Sequence, residues 1–150
     1  LFEKTGCTNV STYINSGNVI FTSSDDRIVI RKTVEKKLLK MTGTDIKVLI
    51  KTKDEIDAIA AAVPSGWKND TEQKTDIAYL LDAIDDAKII DELPIKKEYI
   101  DIRYVKGAIM WNLKRADYNK SRINKIISCG LYKDMTIRNV NTARALPKFL

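Results

Sequence analysis

The chain has 150 residues, a formal net charge of +6, and 44% hydrophobic and 31% charged residues. That is the composition of a globular chain of one domain or two small ones, with no apolar run near the ~20 residues that span a bilayer as a helix. Histidine is absent, which excludes every His-dependent triad and His-ligated metal site within the chain and leaves carboxylates, Lys, Tyr or Cys as candidate catalysts.

The stretch NVSTYINSGNVIFTS alternates around a small polar turn, Ser16-Gly17-Asn18, and predicts a hairpin with Val10, Thr12 and Ile14 on one face. The following DDRIVIRKTVEKKLLKMTG has acids at its start, Ile30, Val34 and Leu38 four apart, and Gly43 just beyond its lysines; it predicts a helix. DIKVLIKT reads as a short strand, and Thr52 with Glu55 forms a capping box opening the helix KDEIDAIAAAV, which Pro64 closes. PSGWKNDTEQKT, residues 64–75, reads as a linker.

The second half begins with a strand at DIAYLLD and continues with a helix through IDDAKIIDEL up to Pro94. The hairpin YIDIRYV/AIMWNLK around Lys106-Gly107 comes next, then a helix through KSRINKIIS, a strand at MTIRN and a last helix at NTARALPKFL. Strand, helix, strand, strand, helix, strand is the order of a split βαβ, or ferredoxin-like, unit. The two hairpins echo each other, Gly17 with Gly107, Phe21 with Trp111 and Ile14 with Tyr104.

The expectation is an α+β chain of two tandem ferredoxin-like halves. Residues 1–63 form an incomplete half without its first strand, 64–75 the linker, and 76–150 a complete half with a trailing helix. The first strand of such a sheet is central. Its absence and a start at Leu1 suggest a natural protein longer at its N-terminus by about 30 residues, roughly a strand and a helix.

Cys7 and Cys129 are lone thiols with no metal-ligand or disulfide spacing, so no metal or cofactor is indicated. A cytoplasmic location is expected, since no secretory leader is recognisable. The positive charge favours an acidic partner, but its lysines look scattered over solvated helix faces. An RNA-recognition sheet needs two stacking aromatics on its third strand; KGAIMWNL offers Ala108 and Met110 there, and the first copy Asn18 and Ile20. Trp111 alternates with Ile109 and is expected in the core. This argues against nucleic acid as the partner.

Lys120-Ser121-Arg122 reads as the start of a helix, where an anion could sit, although no glycine-rich loop precedes it. Asp25-Asp26 and Asp85-Asp86 fall in first turns of expected helices, where the helix dipole accounts for them. The richest polar run is TIRNVNTARAL: Thr136 and Arg138 share a strand face, and Asn139, Asn141 and Thr142 follow at a helix entry. A guanidinium beside amides suits a carboxylate or phosphate. In this reading Arg138 and Asn139 end near the Lys106-Gly107 turn, with Lys120 and Ser121 at the other end of the sheet.

TYINSGNVIF, the Lys120-Ser121 pair and TIRNVNT together resemble the motifs of the bacterial family called domain of unknown function 1697, in the right order along essentially the whole chain. Family members open with a strand and an LRGINVGG-like segment, which the chain lacks. The resemblance implies the fold and marks Ser16, Gly17, Asn18, Lys120, Ser121, Thr136, Arg138, Asn139, Asn141 and Thr142 as ligand-binding candidates; it implies no reaction. A module binding a small anionic ligand or a partner is the first expectation. An enzyme acting on a phosphate- or carboxylate-bearing metabolite and a nucleic-acid-binding module are the alternatives.

Overall fold

The computed structural model describes residues 1–14 and 17–150. The fold is mixed α+β with two antiparallel sheets, one of two strands and one of four. Its contacts divide it into two compact units, residues 1–50 with 149–150, and residues 51–148.

In the first unit, β1 (Thr8–Tyr13) pairs with β2 (Asn18–Thr22) as the expected hairpin, but Asn18 belongs to β2 rather than to the turn, and Ile14, with φ +61° and 52% exposed, lies beyond β1 instead of on its face with Val10 and Thr12. Helix α1 (Arg27–Thr42) is capped by Asp26, whose carboxylate accepts from the Ile28 N–H at 2.7 Å. It stops at Gly43, whose φ of +73° is the left-handed conformation that glycine adopts without a Cβ penalty. Ile30 and Val34 are buried with Cys7, and Val10, Phe21, Leu38, Val48 and Ile50 pack around them. The strand expected at 45–52 does not form. Its Val48 N–H donates instead to the Glu35 carboxylate on α1 at 2.9 Å. A strand exists only where a neighbour takes its backbone groups, and none does so here among the described residues.

The second unit starts one helix earlier than the expected boundary at 63/64. Helix α2 (Lys53–Ala62) carries the capping box, with Glu55 accepting from Thr52 N–H at 2.7 Å and Thr52 from Glu55 N–H at 3.3 Å. The four strands are β3 (Gln73–Leu80), β4 (Asp101–Val105), β5 (Ala108–Lys114) and β6 (Met135–Asn139), in the order β4-β5-β3-β6.

Alternation sorts the side chains of this sheet onto two faces. Ala78, Leu80, Ile109, Trp111, Leu113 and Met135 join Ile89, Leu93, Ile100, Ile123 and Ile126 in one core; Trp111 faces inward as expected. Thr75, Ile77, Tyr79, Ala108 and Met110 lie on the other face and are also buried. Helix α5 (Val140–Ala145), which leaves β6 directly, contacts both β3 and α2.

The expected linker lies inside this unit. Trp67 is buried under Arg103, whose guanidinium sits 5.0 Å above its ring. Thr75 Oγ1 donates to the Lys68 carbonyl at 2.6 Å and accepts from Asn112 Nδ2 at 2.8 Å.

Two expected helices are broken by side chains that take backbone partners. In place of a helix over 84–93 there is a 3-10 turn, Asp82–Ile84, and one turn of helix, α3 (Ile89–Glu92). Asp86 caps the Lys88 N–H at 2.8 Å, while Asp85 points away to the hairpin. In place of a helix over 120–128, α4 (Tyr118–Ser121) ends at Arg122, whose φ is +59°, and a 3-10 segment follows over Ile123–Ser128. Ser121 Oγ makes the break by donating to the Tyr118 carbonyl at 2.6 Å and accepting from Ile123 N–H at 3.2 Å. The last helix narrows to a 3-10 turn over Leu146–Phe149, around Pro147.

Candidate functional site

Register decides which expected site residues can cooperate. Both β5 and β6 run antiparallel to β3, so both start at the hairpin-turn end of the sheet and run away from it. Met135 pairs with Leu80, whose N–H donates to the Gly107 carbonyl at 2.9 Å, while Asn139 pairs with Asp76 further down β3. Arg138 and Asn139 therefore lie toward the end where β5 finishes and α4 begins, and away from Lys106-Gly107. The expected placement is reversed.

The polar run on β6 and α5 splits into two roles. Asn139 is the N-cap of α5, its side chain accepting from the Thr142 N–H at 3.1 Å. Thr142 is buried and Asn141 exposed. Arg144, further along the helix, donates to the Pro64 carbonyl at 3.0 Å. These contacts fix the helix and its neighbour.

Arg138 is different. It shares a sheet face with Thr136, and Thr136 pairs directly with Tyr79. The half-buried guanidinium donates to the Ile137 carbonyl at 2.9 Å. Burial draws its pKa below the ordinary value, against the opposing effect of the Tyr79 and Tyr132 phenols. Burial pushes the Tyr79 phenol up to about 12, with Arg138 pulling the other way. Tyr79 thus stays neutral beside the cation, and Tyr132, close enough to act on Arg138, is 40% exposed. A guanidinium beside a neutral phenol has the chemistry to pair with a small anion.

The remaining candidates stand apart. Ser121 is fully buried and its hydroxyl is used within the chain, and it ends α4 instead of opening a helix. This removes the helix-start anion site at Lys120-Ser121-Arg122. Lys120 is exposed, 3.9 Å from Asp117. In the first unit, Gly17 is exposed with φ +82°, and Asn18 Nδ2 donates to the Tyr13 carbonyl at 2.9 Å. Ser16 lies outside the described residues.

Three polar arrangements escaped the sequence reading. Tyr79 and Tyr132 sit in segments read as strand core and loop, and only the β3–β6 pairing brings Tyr79 to Arg138. Asp76, nearly buried, pairs with Lys74 at 2.8 Å on the core face. Asp85 holds the second hairpin through one oxygen, which accepts from both Gly107 N–H and Tyr104 OH at 2.8 Å. That replaces the helix-dipole role expected of it. Among the described residues there is no group of three or more carboxylates and thiols placed to hold a metal, and no helix long and apolar enough to cross a membrane.

A family model described as "Protein of unknown function (DUF1697)" matches residues 1–111. The chain belongs to the DUF1697 family. The matched span includes Tyr79 and Asp85, and Tyr132 and Arg138 lie beyond it. The fold of this DUF1697 chain is also that of the conserved bacterial protein SP0830 from Streptococcus pneumoniae, with a TM-score of 0.80 at 22% identity over 98% of this chain and 83% of that one. No curated protein matches it.

Proposed function

We propose that this DUF1697 chain is a bacterial cytoplasmic binding module that holds a small carboxylate- or phosphate-bearing ligand at Arg138, with Tyr79 and Tyr132 beside it. The observation that carries the reading is the half-buried guanidinium flanked by two phenols, one of them held neutral to about pH 12. Thr136 on the same face adds a hydroxyl.

The scaffold in this reading is a pair of ferredoxin-like units. Supporting it are the order β3, helical segments, β4, β5, helical segments, β6, and the antiparallel sheet order β4-β5-β3-β6. In the first unit the β1–β2 hairpin followed by α1 corresponds to the later part of the same pattern. Gly17, Asn18 and Ser16 are then the first repeat's counterpart of the Lys106-Gly107 turn, with Lys120 an exposed charge that takes no part in the Arg138 site.

The test is thermal denaturation with rising inorganic phosphate or succinate, since a ligand bound only by the native state raises Tm by mass action. The expected result is a rise that Arg138→Ala abolishes and Arg138→Lys reduces, because Lys lacks the planar fork. Ile137→Ala should lower Tm and keep the ligand response. Equal losses of Tm in Arg138→Ala and Ile137→Ala, with no ligand effect in the wild type, would make Arg138 structural.

A further inference from the structure

The positive charge of the chain is not scattered. Helix α1 holds six basic residues, Arg27, Arg31, Lys32, Lys36, Lys37 and Lys40, against one acid, Glu35. The chain has 26 basic and 20 acidic residues, so the other 134 positions hold 20 basic and 19 acidic and are nearly neutral. Five of the six net charges belong to one helix.

Its outer face has a definite composition. Lys32, Lys36 and Lys40 are exposed at i, i+4 and i+8, a spacing at which like charges repel along a helix. Ile28, Val29 and Leu39, 50%, 56% and 48% exposed, fall with them in a sector of about 120°. The one acid of the helix is turned elsewhere, Glu35 accepting from Val48 N–H, and Asp26 is spent on the helix start. Lys37 is tied to the Lys4 carbonyl at 3.0 Å. The three-lysine row is left facing solvent between aliphatic side chains.

We infer that this face of α1 docks an acidic amphipathic helix of another protein, carboxylates along the lysine row and apolar side chains against Ile28, Val29 and Leu39. Charge complementarity and exposed aliphatics call for one occupant that supplies both. A nucleic-acid backbone would leave the aliphatics uncovered, and the sector has no aromatic side chain for bases. A bilayer needs a continuous apolar sector, and here the lysine row continues the line of Ile28 and separates Leu39 from Val29. No described helix of a second copy offers such a carboxylate row: in α2 Glu55 accepts from Thr52 N–H and Asp57 pairs with Lys53, and α3 is a single turn.

The experiment titrates the protein with a synthetic helical peptide of roughly five turns. Its glutamates sit at i, i+4 and i+8 with leucines on both sides, and a shuffled peptide of the same composition destroys both rows. Binding of the first only is expected, weakening with salt. Lys32→Glu/Lys36→Glu/Lys40→Glu should weaken it by about tenfold or more and Leu39→Ser by a few fold, with helix content unchanged by circular dichroism. Equal binding of both peptides, or of neither, overturns the inference. So does tighter binding of a single-stranded oligothymidylate or of phosphatidylserine vesicles, or a concentration-dependent rise in mass without any addition.

Discussion

Asp85 joins the segment after β3 to the turn between β4 and β5 through a single oxygen, and removing it should show how much that joint contributes. Both hydrogen bonds are 2.8 Å long, from the Gly107 backbone and the Tyr104 phenol, and end on a carboxylate that is half-buried. Bonds to a charged acceptor contribute ~1.5 to 3 kcal/mol each, and partial exposure puts these at the lower end. Asp85→Ala should therefore destabilise by roughly 3 kcal/mol and Tyr104→Phe by about 1.5 kcal/mol. Asp85→Asn keeps the oxygen and loses the charge, at a cost of about 1 kcal/mol. In the Asp85→Ala background Tyr104→Phe has nothing left to remove, so the double-mutant cycle should close with a coupling of about 1.5 kcal/mol. Urea denaturation followed by circular dichroism measures the wild type and all four variants, with hydrogen exchange at Gly107 as a local check that should quicken in Asp85→Ala. Additive single effects, with a coupling within about 0.3 kcal/mol of zero, would refute the shared-oxygen account.

Alkali should weaken the fold through Tyr79. Its folded pKa is raised from 10.0 to about 12, so the neutral phenol is favoured on folding; that contribution is complete below pH 10 and is lost as pH rises toward 12. Two pKa units correspond to roughly 2 to 3 kcal/mol, and urea midpoints taken across that range should fall steeply in the wild type and less in Tyr79→Phe. Tyr104, raised to about 12 chiefly by its hydrogen bond to Asp85, titrates in the same direction. Asn139→Ala removes the cap of α5 and should cost about 1 kcal/mol in a urea melt without changing the phosphate response assigned to Arg138.

Signals that act within a few residues were legible. Thr52 and Glu55 capped α2, Gly43 ended α1, and Lys106-Gly107 turned the second hairpin, because each is decided by local backbone chemistry. Side chains with two available roles were not. Asp85, Asp86 and Ser121 resemble helix-start residues by position; Asp85 instead bonds Gly107, which only the folded chain brings near, while Asp86 and Ser121 use neighbours within three residues in turns rather than at the start of a long helix. DIKVLIKT has a strand's composition, but a strand also needs a neighbour. The candidate site was half legible: Arg138 was singled out from its own segment, whereas Tyr79 lies far away in sequence and reaches it only through the pairing of β3 with β6. The direction of β6 was recoverable in principle, since a strand antiparallel to β3 must run with β5 and leave the turn behind.

Strand β3 sits between β5 and β6, so the first strand of the second unit to be synthesised needs partners made later, one of them beginning only at Met135. While the chain grows, the Arg138 side of β3 remains an open edge even after β4 and β5 have formed their hairpin. Pairing across such separations is slow, and a bare apolar strand edge in the meantime invites association with other chains. Formation of β6 thus closes that edge and brings Arg138 to Tyr79 in one step, so the unit cannot be half-built and still have the candidate site.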